Sequence, residues 1–177
     1  MMQDSKDIKV IKNEINEMQH MLDTYLEFAK AEGNESQKIV NLKQTIARLI
    51  KPFDTRKVSF KNELGDIKYS LKPVAFERAL NNLFDNAFKY AKSEVSISLM
   101  RDKKQNDILI VIEDDGDGIK SEEISKITEP FVKGDGSQSH GLGLAIVKSI
   151  VQSQGGELSL GRSKRLGGLR IEIALPD

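Results

Sequence analysis

Residues 79–91 read ALNNLFDNAFKYA. Leu80, Leu83, Phe84, Ala87, Phe88 and Ala91 recur at steps of three and four, the apolar stripe of a core-facing α-helix. Asn82, Asn86 and Lys89 follow the same steps on the opposite side. Asparagine weakens a helix because its amide competes for backbone hydrogen bonds. Two in line with a lysine one turn on suggest a face that meets a ligand; on this helix alone an ordinary solvated face is an equal alternative. Pro73 suits the first turn of this helix.

The segments on either side set the fold class. Ile39 to Leu42 reads as a short strand, and Lys43 to Ile50 as a helix with Ile46, Leu49 and Ile50 inward, ended by Pro52. Val58, Phe60, Asn62 and Leu64 alternate as a strand, and Gly65-Asp66 turns the chain towards Ile67, Tyr69 and Leu71. After the central helix, Val95, Ile97 and Leu99 alternate with serines, a half-buried strand. Ile108 to Ile112 is a continuous apolar run, the pattern of a strand buried on both faces. Ser121 to Thr128 reads as a short helix capped by Ser121, and Gly141 to Gln154 as a longer one ended by Gly155-Gly156. Glu157 to Leu160, and Leu169 to Leu175 after Gly167-Gly168, complete the set as strands.

Composition narrows the function classes. The 177 residues carry 27 acidic and 27 basic side chains, a balance that argues against a nucleic-acid or membrane-surface binder. With no cysteine and two histidines, disulfides and thiolate metal sites are excluded and a structural zinc site is not expected. No signal peptide or membrane-length apolar run is visible.

Two stretches carry chemistry. The apolar run at Ile108–Ile112 leads directly into Glu113-Asp114-Asp115-Gly116-Asp117-Gly118-Ile119. A carboxylate at a buried strand end can accept from a ligand amine, and glycines let backbone approach a flat ring. A plain Asp/Gly turn has the same composition; an EF-hand is not expected, because its downstream glutamate is missing. The second stretch, Gly141-Leu142-Gly143, feeds a helix start, where free N–H groups and the helix dipole suit phosphate. The lysine-based P-loop pattern is absent.

The N-terminal region has a different pattern. Ile8, Ile11, Ile15, Met18, Leu22, Tyr25 and Ala29 hold a heptad seam, with Met21, Leu26 and Phe28 widening it towards a bundle. Gly33-Asn34 stop the helix. His20 falls on its outer face. Gln19 and Met21 offer it no carboxylate, so it reads as a solvated residue rather than a phosphoryl acceptor.

Taken in order, residues 37–177 resemble the ATP-binding catalytic domain of sensor histidine kinases, in the superfamily shared with gyrase, a heat-shock chaperone and a mismatch-repair protein. Asn82 to Tyr90 resembles the N box, Asp114-Gly116-Gly118 the first glycine box, Glu129 to Gly134 (EPFVKG) the F box, and Gly141 to Val147 the second glycine box. The resemblance implies an α+β fold: a two-layer α/β sandwich whose mixed, mostly antiparallel sheet has helices on one face, preceded by a long helix. It implies ATP and Mg²⁺ as cofactors. Asn86 would ligate the metal with Asn82 in support, while Lys89 and the lid residue Lys133 would meet phosphate. Tyr90 would lie along the adenine or ribose, and Asp114 would accept from the adenine amino group. Gly116, Gly118, Ile119 and Phe131 would complete the nucleotide site, and Gly141, Leu142 and Gly143 would offer N–H groups to phosphate. Departures are Lys133 for arginine, Ser139-His140 for Gly-Thr, Asp117 for proline and Leu169 for threonine.

The superfamily's hydrolases keep a glutamate where Asn82 stands. An amide cannot activate water, which favours phosphoryl transfer to a protein over hydrolysis. Residues 1–34 resemble the second helix of the dimerisation and phosphotransfer hairpin. The acceptor run, histidine followed by an acid, leucine, arginine, threonine and proline, is absent. The chain is therefore expected to be the kinase half of a longer protein, not autophosphorylating by itself. Its expected partners are the parent's acceptor-histidine helix, a response regulator, and a second copy through the N-terminal helix, with no nucleic acid. The expected location is the cytoplasm, free or as the inner part of a membrane-bound sensor. Two alternatives share the fold: a nucleotide-binding regulatory module without transfer, and an anti-sigma-type serine kinase, against which the long leading helix argues.

Overall fold

The computed structural model describes residues 15, 35–53, 58–63, 65–102, 105–130, 132 and 141–176. Apart from Ile15, the expected N-terminal helix lies outside the described residues, as do Leu64, Phe131 and the run from Lys133 to His140.

Eleven elements follow one another among the described residues: β1 (Lys38–Asn41), α1 (Leu42–Ile50), β2 (Val58–Asn62), β3 (Lys68–Leu71), α2 (Pro73–Tyr90), β4 (Val95–Arg101), β5 (Ile108–Asp114), α3 (Ser121–Ile124), α4 (Gly143–Ser153), β6 (Glu157–Arg162) and β7 (Leu169–Leu175). The five-stranded sheet has the order β2-β4-β5-β7-β6; β2 runs parallel to β4, and the remaining pairs are antiparallel. β1 and β3 form a separate antiparallel pair.

Period-two alternation places Val95, Ile97, Leu99, Ile108, Ile110, Ile112, Ile171, Ile173 and Leu175 in one core with the buried sides of the helices. α2 contributes Phe76, Leu80, Leu83 and Phe84, and α4 contributes Ile146, Val147, Ile150 and Val151. This is the expected α+β architecture. Phe84 is fully buried, and cutting it to alanine would cost about 3–5 kcal/mol through lost transfer energy and a cavity. Phe53, just past α1, stacks on Phe88 with ring centroids 4.3 Å apart. That contact pins the chain after α1 to the outer edge of the α2 stripe.

The first N–H groups of α2 are all accounted for, although its N-cap Lys72 makes no side-chain cap bond. Pro73 has no N–H. Glu35 supplies both carboxylate oxygens, accepting from Val74 N at 2.6 Å and Ala75 N at 3.0 Å. Gln154, at the end of α4, accepts from Lys72 N at 3.0 Å. Two distant side chains thus do what a local cap usually does.

The strands on either side of Gly65-Asp66 form as expected and belong to different sheets. Three expectations need correction. Ser121 is not the cap of α3: the N-cap is Lys120, without a side-chain bond, and the helix ends at Ile124. α4 begins at Gly143, two residues later than the glycine motif. β5 is not sealed equally on both faces: Val111 is buried, but Leu109 and Glu113 are only half-buried.

Candidate functional site

The C-terminal half of α2, the end of β5 and the start of β7 converge on one cleft of about 320 Å³. That volume is within the range of small-molecule sites. Its apolar wall is Ile112, Ile119, Ile127, Val132, Leu144, Leu169 and Ile171. Asn86, Tyr90, Asp114, Asp117, Lys120 and Glu123 add polar groups.

Asp114 is the buried acid of this cleft, 5% exposed. Its Oδ1 accepts from Gly116 N at 2.9 Å and Leu169 N at 3.2 Å. Its Oδ2 has no donor among the described residues. Burial pushes the Asp114 carboxyl above the ordinary range, partly opposed by the two N–H bonds, while the nearby Asp115 charge adds to the rise. One oxygen is thus fixed by the backbone and the other is left in a largely apolar cleft, poised to accept a hydrogen bond.

The neighbouring Asp115 does something else. Burial alone would raise it, but hydrogen bonds from the Ser93 hydroxyl and the backbone N–H groups of Ser93, Glu94 and Lys92 hold it well below the usual carboxylate range. It fixes the turn after α2 to the end of β5. Asp117 is exposed and pairs with Lys92 Nζ at 2.5 Å.

The glycines here serve packing more than ligand approach. A Cβ on Gly116 would lie 2.5 Å from the Tyr90 carbonyl oxygen, and one on Gly168 would collide with Asp114. Gly118 has φ +73°, a left-handed conformation that favours glycine.

Of the residues expected at the site, Asn86, Tyr90, Asp114, Gly118, Ile119, Gly141 and Gly143 line the cleft. Four do not. Asn82 sits one turn back on α2, half-buried; Gly116 is buried beneath the loop; Leu142 is in the core. Lys89 is exposed, with Nζ 5.2 Å from the centre of the Tyr90 ring. Phe131 and Lys133 lie outside the described residues. The sequence reading missed the wall residues Ile112, Ile127, Val132, Leu144 and Ile171, together with Lys120 and Glu123. Ile112 could have been found, because it lies two residues before Asp114 on the same face of β5.

The Asn86 side chain makes no hydrogen bond to a described residue, and a Cβ on Gly143 would lie 3.8 Å from its Nδ2. The amide therefore sits beside the start of α4. There the N–H groups of Gly143, Leu144 and Ala145 have no acceptor among the described residues, because Leu142 provides no side-chain cap. No cluster of three or more acidic, histidine or cysteine side chains fit to hold a metal occurs among the described residues.

A sequence profile described as histidine kinase-, DNA gyrase B-, and HSP90-like ATPase matches residues 71–177. The chain belongs to this ATPase family. Its relatives include sensor proteins and sensor histidine kinases. The alginate biosynthesis sensor protein KinB of Pseudomonas aeruginosa is 30% identical over 179 residues, covering 96% of this chain and 30% of that protein. The sensor protein RstB of Escherichia coli K12 is 42% identical over 105 residues, 56% of this chain and 24% of its own length. Among solved structures, the mycobacterial sensor histidine kinase MprB superposes with TM-score 0.68 at 27% identity, over 79% of this chain and 97% of that one. The histidine kinase domain of the E. coli osmosensor EnvZ gives 0.61 at 33% identity, over 81% and 91%. The expected resemblance to histidine-kinase ATP-binding domains is borne out, and the fold class with it. The chain spans less than a third of the length of these curated relatives. No helix among the described residues is long and apolar enough to cross a membrane.

Proposed function

We propose that this chain is the ATP-binding catalytic part of a two-component sensor histidine kinase, delivering the ATP γ-phosphate to a histidine on a separate acceptor helix. The observation that carries the proposal is Asp114. Its Oδ1 is occupied by backbone donors while Oδ2 has none among the described residues, which suits the exocyclic amine of adenine. Around it, Ile112, Leu169 and Ile171 supply apolar walls for a base, and Tyr90 stands at the rim, where it can lie along the base or ribose.

The triphosphate would extend towards Asn86 and the start of α4. N–H groups without an acceptor among the described residues, together with the helix dipole there, favour anionic oxygens. Gly141 and Leu142 lead into the same turn, Lys89 and Lys133 would add positive charge, and Gly116, Gly118, Ile119 and Phe131 would frame the base side. Asn86 offers one neutral oxygen, a fit for Mg²⁺ held mainly by phosphates and water; when bound, the ion would neutralise phosphate charge. Asn82, one turn back, would support Asn86 and, lacking basicity, would leave water unactivated. Catalysis then rests on positioning and charge neutralisation.

Residues 1–34 are read as the second helix of a dimerisation and phosphotransfer hairpin, and 37–177 as the catalytic domain. A response regulator would take the phosphoryl group onward, and the location would be the cytoplasm. The test is titration calorimetry of ATP, with and without Mg²⁺, on the wild type and on Asp114→Asn. Binding should need Mg²⁺ for full strength and should weaken about 10- to 100-fold in the variant, the worth of a hydrogen bond to a charged group. ATP binding that is indifferent to the substitution would refute the site.

A further inference from the structure

Glu113 and Asp114 are consecutive on β5, so their side chains point to opposite faces of the sheet. Asp114 faces the cleft. Glu113 faces the far side, where its Oε1 accepts from Ser163 Oγ at 2.9 Å. Arg170 Nη1 lies 3.4 Å from the same oxygen, and Arg165 Nε lies 3.9 Å from Oε2. Arg165 is held in turn by Glu94 at 3.0 Å. Ser163 is 1% exposed, so a polar group has been buried here and fully paired.

Ser163 also closes the loop between β6 and β7. Its Oγ accepts from Leu166 N at 2.9 Å. Its backbone N donates to Gly168 O at 2.8 Å, and its carbonyl accepts from Gly167 N at 2.9 Å. The end of this loop then reaches the cleft side: Gly168 N donates to Asp114 O at 3.1 Å and Leu169 N to Asp114 Oδ1 at 3.2 Å. One short loop therefore grips β5 from both faces, through a side chain on one and two backbone donors on the other.

We infer that Ser163 and Glu113 are positioning residues that act across the sheet to set the carboxylate of Asp114, so that one oxygen is held and the other is presented to the base. This deepens the nucleotide-binding reading and rests on it. Neither residue touches the cleft. Their effect reaches the ligand through the loop and the Leu169 N–H, which decides how far the Asp114 carboxylate can rotate. A loosened loop would leave the cleft and its phosphate end intact while blurring the direction in which Oδ2 accepts.

The test compares ATP with purine riboside triphosphate, which lacks the 6-amino group, by calorimetry on the intact chain with Mg²⁺. Ser163→Ala should weaken ATP about 2- to 10-fold, the range of a single misaligned hydrogen bond, and leave the amine-free nucleotide unchanged. Glu113→Leu should behave alike, and Glu113→Gln, which keeps an acceptor for Ser163 Oγ, should recover most of the loss. Should Ser163→Ala fail to fold, Ser163→Cys keeps the volume, weakens both Oγ bonds and carries the same comparison. Equal loss for both nucleotides would mean a merely structural role and overturns the inference. Unchanged ATP affinity in Ser163→Ala overturns it too, leaving the site reading intact. A wild type that does not distinguish the two nucleotides overturns both readings.

Discussion

Asp114 and Asp115 are adjacent in sequence, and their surroundings drive their titration in opposite directions. For Asp115, hydrogen bonds lower the folded carboxyl below the unfolded one, so its contribution is present above the ordinary range and lost as pH falls through the depressed value. For Asp114, burial raises the folded carboxyl. Its contribution is fully present below the unfolded value of 3.8 and lost as pH rises through the raised one. The charged carboxylate is therefore a local cost at neutral pH, at the position where the proposed nucleotide would bind. Asp114→Asn keeps an oxygen for the N–H groups of Gly116 and Leu169 and removes the buried charge. It should melt at or above the wild-type temperature at pH 7, with the difference shrinking towards pH 4, as scanning calorimetry across that range would show. A variant less stable at every pH would mean that the charge is held favourably. Gly168 belongs to this scale as well. Its lack of a side chain is what lets β7 start against Asp114, a requirement invisible in the dipeptide Gly-Gly.

The helix that carries Asn82, Asn86 and Tyr90 is held at its start by residues far from it in the chain. Glu35 accepts from two N–H groups of the first turn, where its negative charge also meets the positive end of the helix dipole. Glu35→Ala should lower stability by about 0.5–2 kcal/mol, the usual worth of an N-terminal cap, and Glu35→Gln should recover part of it. Urea unfolding of the three proteins with a common m-value would measure this, and a loss below the lower figure would mean that water replaces the carboxylate. The apolar stripe of α2 was legible because its partners are simply the core. The capping was not, since no Ser, Thr, Asn or Asp stands at Lys72. Just before α2 in the sequence, β2 and β3 were legible as elements, but the strands they pair with were not. β3 is recruited by β1 next to α1, which leaves β2 free to extend the large sheet beside β4.

For the molecule as a whole, the cleft opens where α2, α4 and the ends of β5 and β7 meet, so a nucleotide there would touch every layer of the fold. The proposed activity needs an acceptor histidine from outside residues 37–177. With radiolabelled ATP and Mg²⁺, the chain alone should take up no acid-labile label. Adding a separately expressed acceptor-helix domain from a related sensor kinase should give a labelled, acid-labile phosphohistidine on that domain. Full ATP binding with no transfer to any acceptor would favour a regulatory module over a kinase.

Sequence alone settled what depends on local repetition. The 3.6-residue stripe of α2, the alternation of β4 and β7 and the order of motifs follow from which side chains must leave water, and that is written in spacing. The resemblance carried by the ordered asparagine and glycine motifs implied that Asn86 and Asp114 share one site, and both line the cleft. Only the tertiary structure decided which oxygen of Asp114 lacks a donor among the described residues, because one of the two donors on the other oxygen belongs to a residue 55 positions away. It likewise decided that a side chain at Gly116 would strike Tyr90 and one at Gly168 would strike Asp114. Hydrogen-bond partners and close contacts are settled by three-dimensional proximity, and no periodicity along the chain encodes them.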